Sequence, residues 1–273
     1  MQNIVDFFRN FGAVEAAFIA TLFTWSMTAL GAATVLFFKA MNRRFFDVML
    51  GFTGGVMLAA SFFSLLIPAI DMSKGEGFSK VMPSVIGFTL GSLFLYALDK
   101  YVPHLHIHQD SEDAEGMKTK MSSSKLLVLA ITIHNIPEGL AVGVLFGGAY
   151  LQESAAMLMS AIVLAIGIGI QNFPEGIAVA LPLRRDGLSR LKSFHYGQLS
   201  AIVEPIFGVI GALLVVQMSV ILPYTLAFAA GAMIYVTVEE VIPEFTNGRF
   251  ADGSTLGFLF GFIVMMTLDV ALG

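Results

Sequence analysis

The chain has 273 residues, of which 56% are hydrophobic and only 13% are charged. A soluble domain has about 25% charged residues, so this composition excludes a water-soluble globule of this size. The net charge of −5 comes with no basic stripe that would indicate a nucleic-acid partner, and the absence of cysteine excludes disulfides and cysteine-based metal sites.

Polar residues gather in short links between apolar stretches of about 20 residues or more, the length that a helix needs to cross a bilayer. The pattern predicts an all-α integral membrane protein of about eight transmembrane helices, which form one transmembrane domain over residues 1–273 in the lipid bilayer. The period-two alternation of a β-barrel is absent from these stretches. The predicted spans cover residues 13–40, 46–70, 82–101, 125–149, 154–183, 193–218, 222–244 and 254–272.

The longest link covers residues 102–124 and follows the third span. Its Asp, Glu, Ser and Lys content predicts a flexible loop. It also contains His104, His106 and His108, and alternating imidazoles of this kind bind metal weakly. We therefore expect these three histidines to capture ions transiently where ions come in or leave.

Lysine and arginine indicate the orientation of the chain. All but three of the fifteen basic residues follow odd-numbered spans, and the exceptions are Arg9, Lys74 and Lys80. By the positive-inside rule the odd-numbered links, including residues 102–124, are cytoplasmic and both termini are extracytoplasmic. The membrane is predicted to be the plasma or inner membrane of the cell.

The fourth and fifth spans each contain polar residues that are expensive inside a membrane. The fourth span contains His134-Asn135-Ile136-Pro137-Glu138-Gly139, and the fifth contains Gln171-Asn172-Phe173-Pro174-Glu175-Gly176. Both include Asn-x-Pro-Glu-Gly. Consecutive spans run antiparallel, so the two copies are expected to face each other about a pseudo-two-fold axis. Inverted, proline-interrupted helices of this kind build the midplane sites of transporters.

The spacing within each motif places its ligands together. His134 and Glu138 are four residues apart and share a helix face, and Gln171 and Glu175 repeat that geometry. The sixth span adds Glu204, beside a further proline. Because lysine and arginine are nearly absent from the span interiors, a metal ion is the expected partner of these carboxylates. The candidate ligands are His134, Asn135, Glu138, Gln171, Asn172, Glu175 and Glu204.

Imidazole combined with carboxylates is typical of sites for zinc and its first-row neighbours. Met57 could add a thioether, although a single methionine in an apolar span is more typical of packing. Acidic residues near span ends are candidates for the path by which ions come in or leave, or are simply solvated helix ends. These residues are Asp99, Glu239, Glu240, Glu244 and Asp269.

Three Gly-x-x-x-Gly pairs could bring helices into close contact: Gly51/Gly55, Gly143/Gly147 and Gly257/Gly261. The chain has 27 glycines, and this number in an apolar sequence produces such pairs by chance. Chance is therefore the favoured interpretation for each pair.

The paired motifs, Glu204-Pro205, Met57 with Ser61, and the closing Leu268-Asp269 segment resemble the signature of the ZIP (Zrt/Irt-like) metal transporter family, in particular its prokaryotic GufA-like branch. The resemblance implies a ZIP-like fold with an inverted-repeat core, an elevator-like movement of spans one, four, five and six against the others, and a homodimer. It also implies a binuclear site. One position would use Met57, His134, Glu138, Gln171 and Glu175, and the other would use Asn135, Glu138, Asn172, Glu175 and Glu204.

The expected function is transport of divalent transition-metal ions into the cytoplasm, with zinc first and cadmium, iron or manganese as further candidates. The ion is a bound substrate, and neither enzymatic activity nor a catalytic cofactor is expected. Three carboxylates favour one tightly held ion and a weaker second one. A selective channel of the same fold, a metal sensor and an intramembrane metalloenzyme stay open as alternatives. The last would lack the His-Glu-x-x-His ligand pattern that is frequent in zinc hydrolases.

Overall fold

The computed structural model describes residues 2–38, 42–103, 123–246 and 251–272, and all regular elements within these ranges are helices. Eight of the helices are long and apolar enough to cross a membrane, which confirms the predicted all-α fold and the number of spans. We number them span 1 to span 8: Ala13–Leu36, Arg43–Met72, Phe78–Tyr101, Lys125–Leu151, Ala155–Arg185, Arg190–Gln217, Leu222–Thr246 and Ala251–Leu272. A short helix, Gln2–Phe8, precedes span 1.

Besides the 3-10 turn that ends span 1, three of the spans depart from a regular α-helix. Span 2 contains a π-helical segment at Ser61–Leu66, and span 7 contains another at Thr237–Val241. Span 6 consists of two helices, Arg190–Leu199 and Val203–Gln217, and Glu204 lies in the first turn of the second. Segments of π-helix are frequent at functional sites, so these two segments mark parts of spans 2 and 7 where a functional role is expected.

Spans 2, 4 and 5 are the most buried of the eight. The apolar window of span 4 is 72% buried and those of spans 2 and 5 are 67% buried, whereas those of spans 3 and 8 are 22% buried. Spans 4 and 5 continue as helices through the motif prolines, Pro137 and Pro174. A proline nitrogen has no hydrogen to donate, so each helix lacks one backbone hydrogen bond at the motif.

The eight spans pack as two groups of four. The first group contains spans 1, 4, 5 and 6, in which span 1 packs on span 5 and span 4 packs on span 6. The second group contains spans 2, 3, 7 and 8, in which span 2 packs on span 8 and span 3 packs on span 7. The groups meet where span 7 contacts span 4 and where spans 2 and 8 contact span 5.

The Gly-x-x-x-Gly pairs lie in close contacts between helices, so their interpretation as chance is wrong. A Cβ atom at Gly51 or Gly55 of span 2 would overlap a backbone carbonyl oxygen of span 8, and a Cβ atom at Gly143 would overlap one of span 6. Gly257 and Gly261 of span 8 face span 2 in the same way. Glycine therefore lets each pair of helices approach until their backbones touch.

Replacing Gly55 by alanine is expected to destabilise the protein by about 3 kcal/mol, because the new Cβ atom would overlap the carbonyl oxygen of Phe258 and separate spans 2 and 8. Gly253→Ala is the matched control, since its Cβ atom would meet only a side-chain carbon of Val48 at 3.4 Å. Thermal unfolding in detergent compares the two. An equal loss in both variants would contradict the role of Gly55 in helix contact.

Candidate metal centre

The two motifs meet at the centre of the first group of spans. Their polar side chains are almost completely buried, with His134 at 3% and Glu175 at 4% exposure and the others at 0%. One nitrogen of His134 and one carboxylate oxygen each of Glu138 and Glu175 lie within 4.8 Å of one another. The motif glycines bring two further spans close to the site, because Gly139 packs on the backbone of Glu204 in span 6 and Gly176 on that of Thr28 in span 1.

Each of the six polar motif side chains keeps at least one buried polar atom that accepts no hydrogen bond from the described residues. These atoms are His134 Nε2, Asn135 Oδ1, Glu138 Oε2, Gln171 Oε1, Asn172 Oδ1, Glu175 Oε1 and Glu175 Oε2. A buried polar atom without a partner costs about 1–3 kcal/mol, and native proteins contain few of them. A group of such atoms in one place indicates that their partner is a bound species.

Each of the three amide side chains of the site donates a hydrogen bond from its NH₂ group. Asn135 donates from Nδ2 to the carbonyl oxygen of Ser200 at 3.1 Å, Gln171 donates from Nε2 to Glu138 Oε1, and Asn172 donates from Nδ2 to the carbonyl oxygen of Thr24 at 3.2 Å. The protein therefore uses the NH₂ group of each amide and leaves its oxygen free. Oxygen is the amide atom that binds a metal ion, because an NH₂ group can only donate.

The site contains more negatively charged groups than positively charged ones. Glu138 and Glu175 face each other across the motifs, and within the described residues neither pairs with a lysine or arginine. Their nearest basic group is the imidazole of His134, whose Nε2 lies 3.7 Å from Glu175 Oε1. Imidazole nitrogen, carboxylate oxygen and amide oxygen together suit a divalent transition-metal ion such as zinc.

Glu204 joins the site in a different way from the other two carboxylates. Its Oε1 accepts a hydrogen bond from Asn172 Nδ2 at 2.9 Å, and its Oε2 accepts one from the hydroxyl of Thr24. Both of its oxygens therefore have a protein partner. Thr24 is not identifiable from the sequence, because a threonine in an apolar span belongs to no motif that distinguishes it.

Met57 lies beside the motifs, as its position in span 2 allows. Its side chain is fully buried in an apolar cluster with Ile133, Ile177 and Ala178, which are neighbours of the motif residues along spans 4 and 5. The carbonyl oxygen of Met57 accepts a hydrogen bond from the hydroxyl of Ser61 at 2.8 Å. Both packing and a thioether ligand are compatible with this placement.

A cavity leads away from the site between the two groups of spans. His134 and Glu175 line its inner end, and Thr53, Glu240 and Glu244 line it as well. Its apolar walls come from the first turns of span 4, the later half of span 5 and the end of span 7. Glu240 Oε2 lies 3.4 Å from His134 Nδ1, so this acid connects the site with the cavity.

The other described candidates for the ion path are not among the residues that line this cavity. Glu239 is exposed, Asp99 accepts a hydrogen bond from the hydroxyl of Tyr235 at 3.3 Å, and Asp269 accepts one from Ser64 at 2.8 Å. Asp269 is buried beside the π-helical segment of span 2. The loop histidines, His104, His106 and His108, lie outside the described residues.

Comparison with known proteins gives consistent matches over nearly the whole chain. The family model described as ZIP Zinc transporter matches residues 103–269. Zinc transporter ZIP11 of Homo sapiens is 42% identical over 97% of this chain and 99% of its own length. Zinc transporter GufA of Myxococcus xanthus is 38% identical over 94% and 99%, and zinc transporter ZIPB of Bordetella bronchiseptica is 37% identical over 91% and 79%. The names of these relatives describe transporters and not enzymes.

Proposed function

Because the chain belongs to the ZIP zinc transporter family, as its GufA-like motifs predicted, we propose that it carries zinc ions across the membrane into the cytoplasm. The observation that carries this proposal is the group of buried lone pairs in the paired motifs. The same donors admit cadmium, iron and manganese, so we propose zinc as the first substrate among divalent transition metals.

The tightly held ion binds between spans 4 and 5. Its ligands are His134 Nε2, Glu138 Oε2, Gln171 Oε1 and the carboxylate of Glu175, with the sulfur of Met57 as a further donor. The free state of these buried atoms and the 4.8 Å limit on the His134, Glu138 and Glu175 ligand atoms support this assignment. A second, weaker position uses Asn135 and Asn172 together with the two shared carboxylates and Glu204.

Charge favours one ion at a time. The carboxylates of Glu138 and Glu175 neutralise one divalent ion. A second ion shares the same two carboxylates and adds only Glu204, so it leaves a positive excess in a buried site. An uncompensated buried charge costs several kcal/mol, and the second ion is therefore held weakly.

The direction of transport follows from the proposed orientation. We place the protein in the plasma or inner membrane, with the odd-numbered links in the cytoplasm and both termini outside. In this orientation the cavity lined by Glu240 and Glu244 opens towards the cytoplasm. A divalent cation that moves inward across about −100 mV gains roughly 4.6 kcal/mol, so inward flow needs no ATP.

Replacing Glu240 by glutamine is expected to lower the initial rate of zinc uptake about fivefold, because the ion loses about 1 kcal/mol of attraction as it leaves His134 for the cavity. Glu239→Gln is the matched control, since Glu239 is exposed and lies beside Glu240 outside the cavity lining. Initial rates in proteoliposomes compare the variants. An equal loss in both would show that Glu240 acts only through surface charge.

We propose an elevator-type carrier in which spans 1, 4, 5 and 6 move together against spans 2, 3, 7 and 8. We also propose that two chains form a homodimer, as the resemblance to the family implies. Two features support the movement. Glycine-to-backbone contacts lie within the groups, as at Gly55 and Gly143. Between the groups, Gly167 instead faces the flexible side chain of Met265, and Gly148 faces that of Leu222 together with Met157 of span 5. Flexible side chains can exchange neighbours more easily than backbones in contact.

The test of the proposed function is zinc uptake into proteoliposomes that contain a fluorescent zinc indicator. We expect uptake that saturates with zinc concentration and exceeds the leak of protein-free liposomes. Fast flux without saturation would instead indicate a channel. An absence of flux for zinc, cadmium, iron and manganese, while zinc still binds, would contradict transport.

A further inference from the structure

Glu204 is held by two protein donors at once, whereas Glu138 and Glu175 keep free oxygens. Thr24 is the residue that makes this difference. It lies in span 1, is fully buried, and its hydroxyl contacts Glu204 Oε2. Without that hydroxyl, one oxygen of Glu204 would be free in the same way as those of Glu138 and Glu175.

Thr24 also fixes the other partner of Glu204. The carbonyl oxygen of Thr24 accepts a hydrogen bond from Asn172 Nδ2 at 3.2 Å, and the same Nδ2 donates to Glu204 Oε1 at 2.9 Å. Both neighbours of Nδ2 are acceptors, so the orientation of the amide is determined by its contacts. One residue of span 1 therefore holds one group from span 5 and one from span 6.

The neighbouring threonine shows that this contact is not a general feature of span 1. Thr21 is equally buried, but its hydroxyl bonds carbonyl oxygens of its own helix, at 2.7 Å from Ala17 and 3.1 Å from Phe18. The hydroxyl of Thr24 lies 3.0 Å from the carbonyl oxygen of Thr21 and in addition reaches Glu204. The contact with a carboxylate distinguishes Thr24.

We propose that Thr24 is a positioning residue that sets the number of ions bound at once. Its hydroxyl holds Glu204 out of the second ion position, so the protein holds one zinc ion, and a second ion binds only when this hydrogen bond is given up. The inference rests on the proposed function, because it needs the first ion to be bound by His134, Glu138, Gln171 and Glu175. It adds a residue that no motif contains and that contacts no ion.

The test is zinc binding to the purified full-length protein by equilibrium dialysis, in a background where His104, His106 and His108 are replaced by serine to remove binding by the loop. A hydrogen bond to a charged group is worth enough to shift an equilibrium about tenfold or more. Thr24→Val and Thr24→Ala are therefore expected to lower the dissociation constant of the second zinc ion at least about tenfold. Thr24→Ser keeps the hydroxyl and should restore the wild-type value, and Thr21→Val should leave it unchanged.

Glu204→Gln provides a second test, of whether Thr24 acts through this carboxylate. In the same loop-histidine background, Glu204→Gln combined with Thr24→Val should remove the tightening that Thr24→Val produces alone, because the side chain at position 204 then offers no charge to the second ion. A second ion that Thr24→Val tightens equally in the presence of Glu204→Gln would overturn the inference.

Two failures can be told apart in the same titration. One bound zinc ion, with a second dissociation constant that Thr24→Val leaves within twofold, would overturn the role of Thr24 and leave the proposed function standing. No zinc bound by the wild type would overturn the proposed function, and this inference with it.

Discussion

Zinc uptake into proteoliposomes is expected to fall at least about a hundredfold when Glu138 is replaced by glutamine. Glu138 lies where both motifs meet, fully buried, with Oε2 free and Oε1 bonded to Gln171. Without its charge, one carboxylate of the central pair would have to balance a divalent ion. Removing one partner of a buried ion pair costs about 3–5 kcal/mol, which weakens ion binding by more than a hundredfold.

Glutamine is the informative substitution because it changes the charge and keeps the shape. Its amide oxygen can still accept the hydrogen bond from Gln171 Nε2, so the contact between spans 4 and 5 is preserved. Glu239→Gln removes the same charge from an exposed position and should keep uptake within about twofold. Unchanged thermal unfolding of both variants would show that the loss is one of function. Uptake by Glu138→Gln at the wild-type rate would contradict the assigned site.

The centre of the site could be predicted from the sequence because two strong constraints agree there. Charged side chains are expensive inside a membrane, so Glu138 and Glu175 stood out from their apolar surroundings. Their repeated Asn-x-Pro-Glu-Gly context placed them on antiparallel helices, and the structure brings them together with His134. The fold class followed from the lengths of the apolar stretches, which depend on bilayer thickness and not on the details of packing.

Contacts between distant parts of the chain could not be predicted in this way. Thr24 and Glu204 are 180 positions apart in the sequence. A threonine hydroxyl in a helix often bonds a carbonyl oxygen of the same helix, so a threonine in a span does not indicate a functional contact. From the sequence, Glu240 is equally compatible with a solvated helix end, whereas in the structure its carboxylate lies next to His134. The glycine pairs were ambiguous because spacing alone does not identify the helix that they face; here Gly55 faces span 8.

A covalent link between the two groups of spans is expected to stop zinc uptake almost completely if the groups move as proposed. The chain contains no cysteine, so an introduced pair would be its only source of thiols. A Cβ atom at Gly148 of span 4 would lie 2.9 Å from a terminal carbon of Leu222 in span 7, which belongs to the other group. A bifunctional thiol reagent can therefore join cysteines at these two positions.

The adjacent glycine supplies a matched control within one group. A Cβ atom at Gly147 would lie 3.2 Å from the Cβ atom of Val215 in span 6, so the same reagent can join cysteines at these two positions. Both helices move together in the proposed elevator, so a link between Gly147→Cys and Val215→Cys should leave uptake within about twofold of the unlinked protein. This control separates the effect of blocked movement from the effect of two new cysteines in a glycine-rich helix.

The link between Gly148→Cys and Leu222→Cys is expected to reduce zinc uptake more than tenfold, and a reductant that cleaves the reagent should restore it. We expect this loss because, in the proposed mechanism, an ion bound between spans 4 and 5 is released through the cavity that is open at the time. If spans 4 and 7 cannot shift past each other, the site cannot load from one side and release to the other. Uptake that continues at the unlinked rate would mean that ions cross through a fixed path, and the protein would then be a channel built on the same fold.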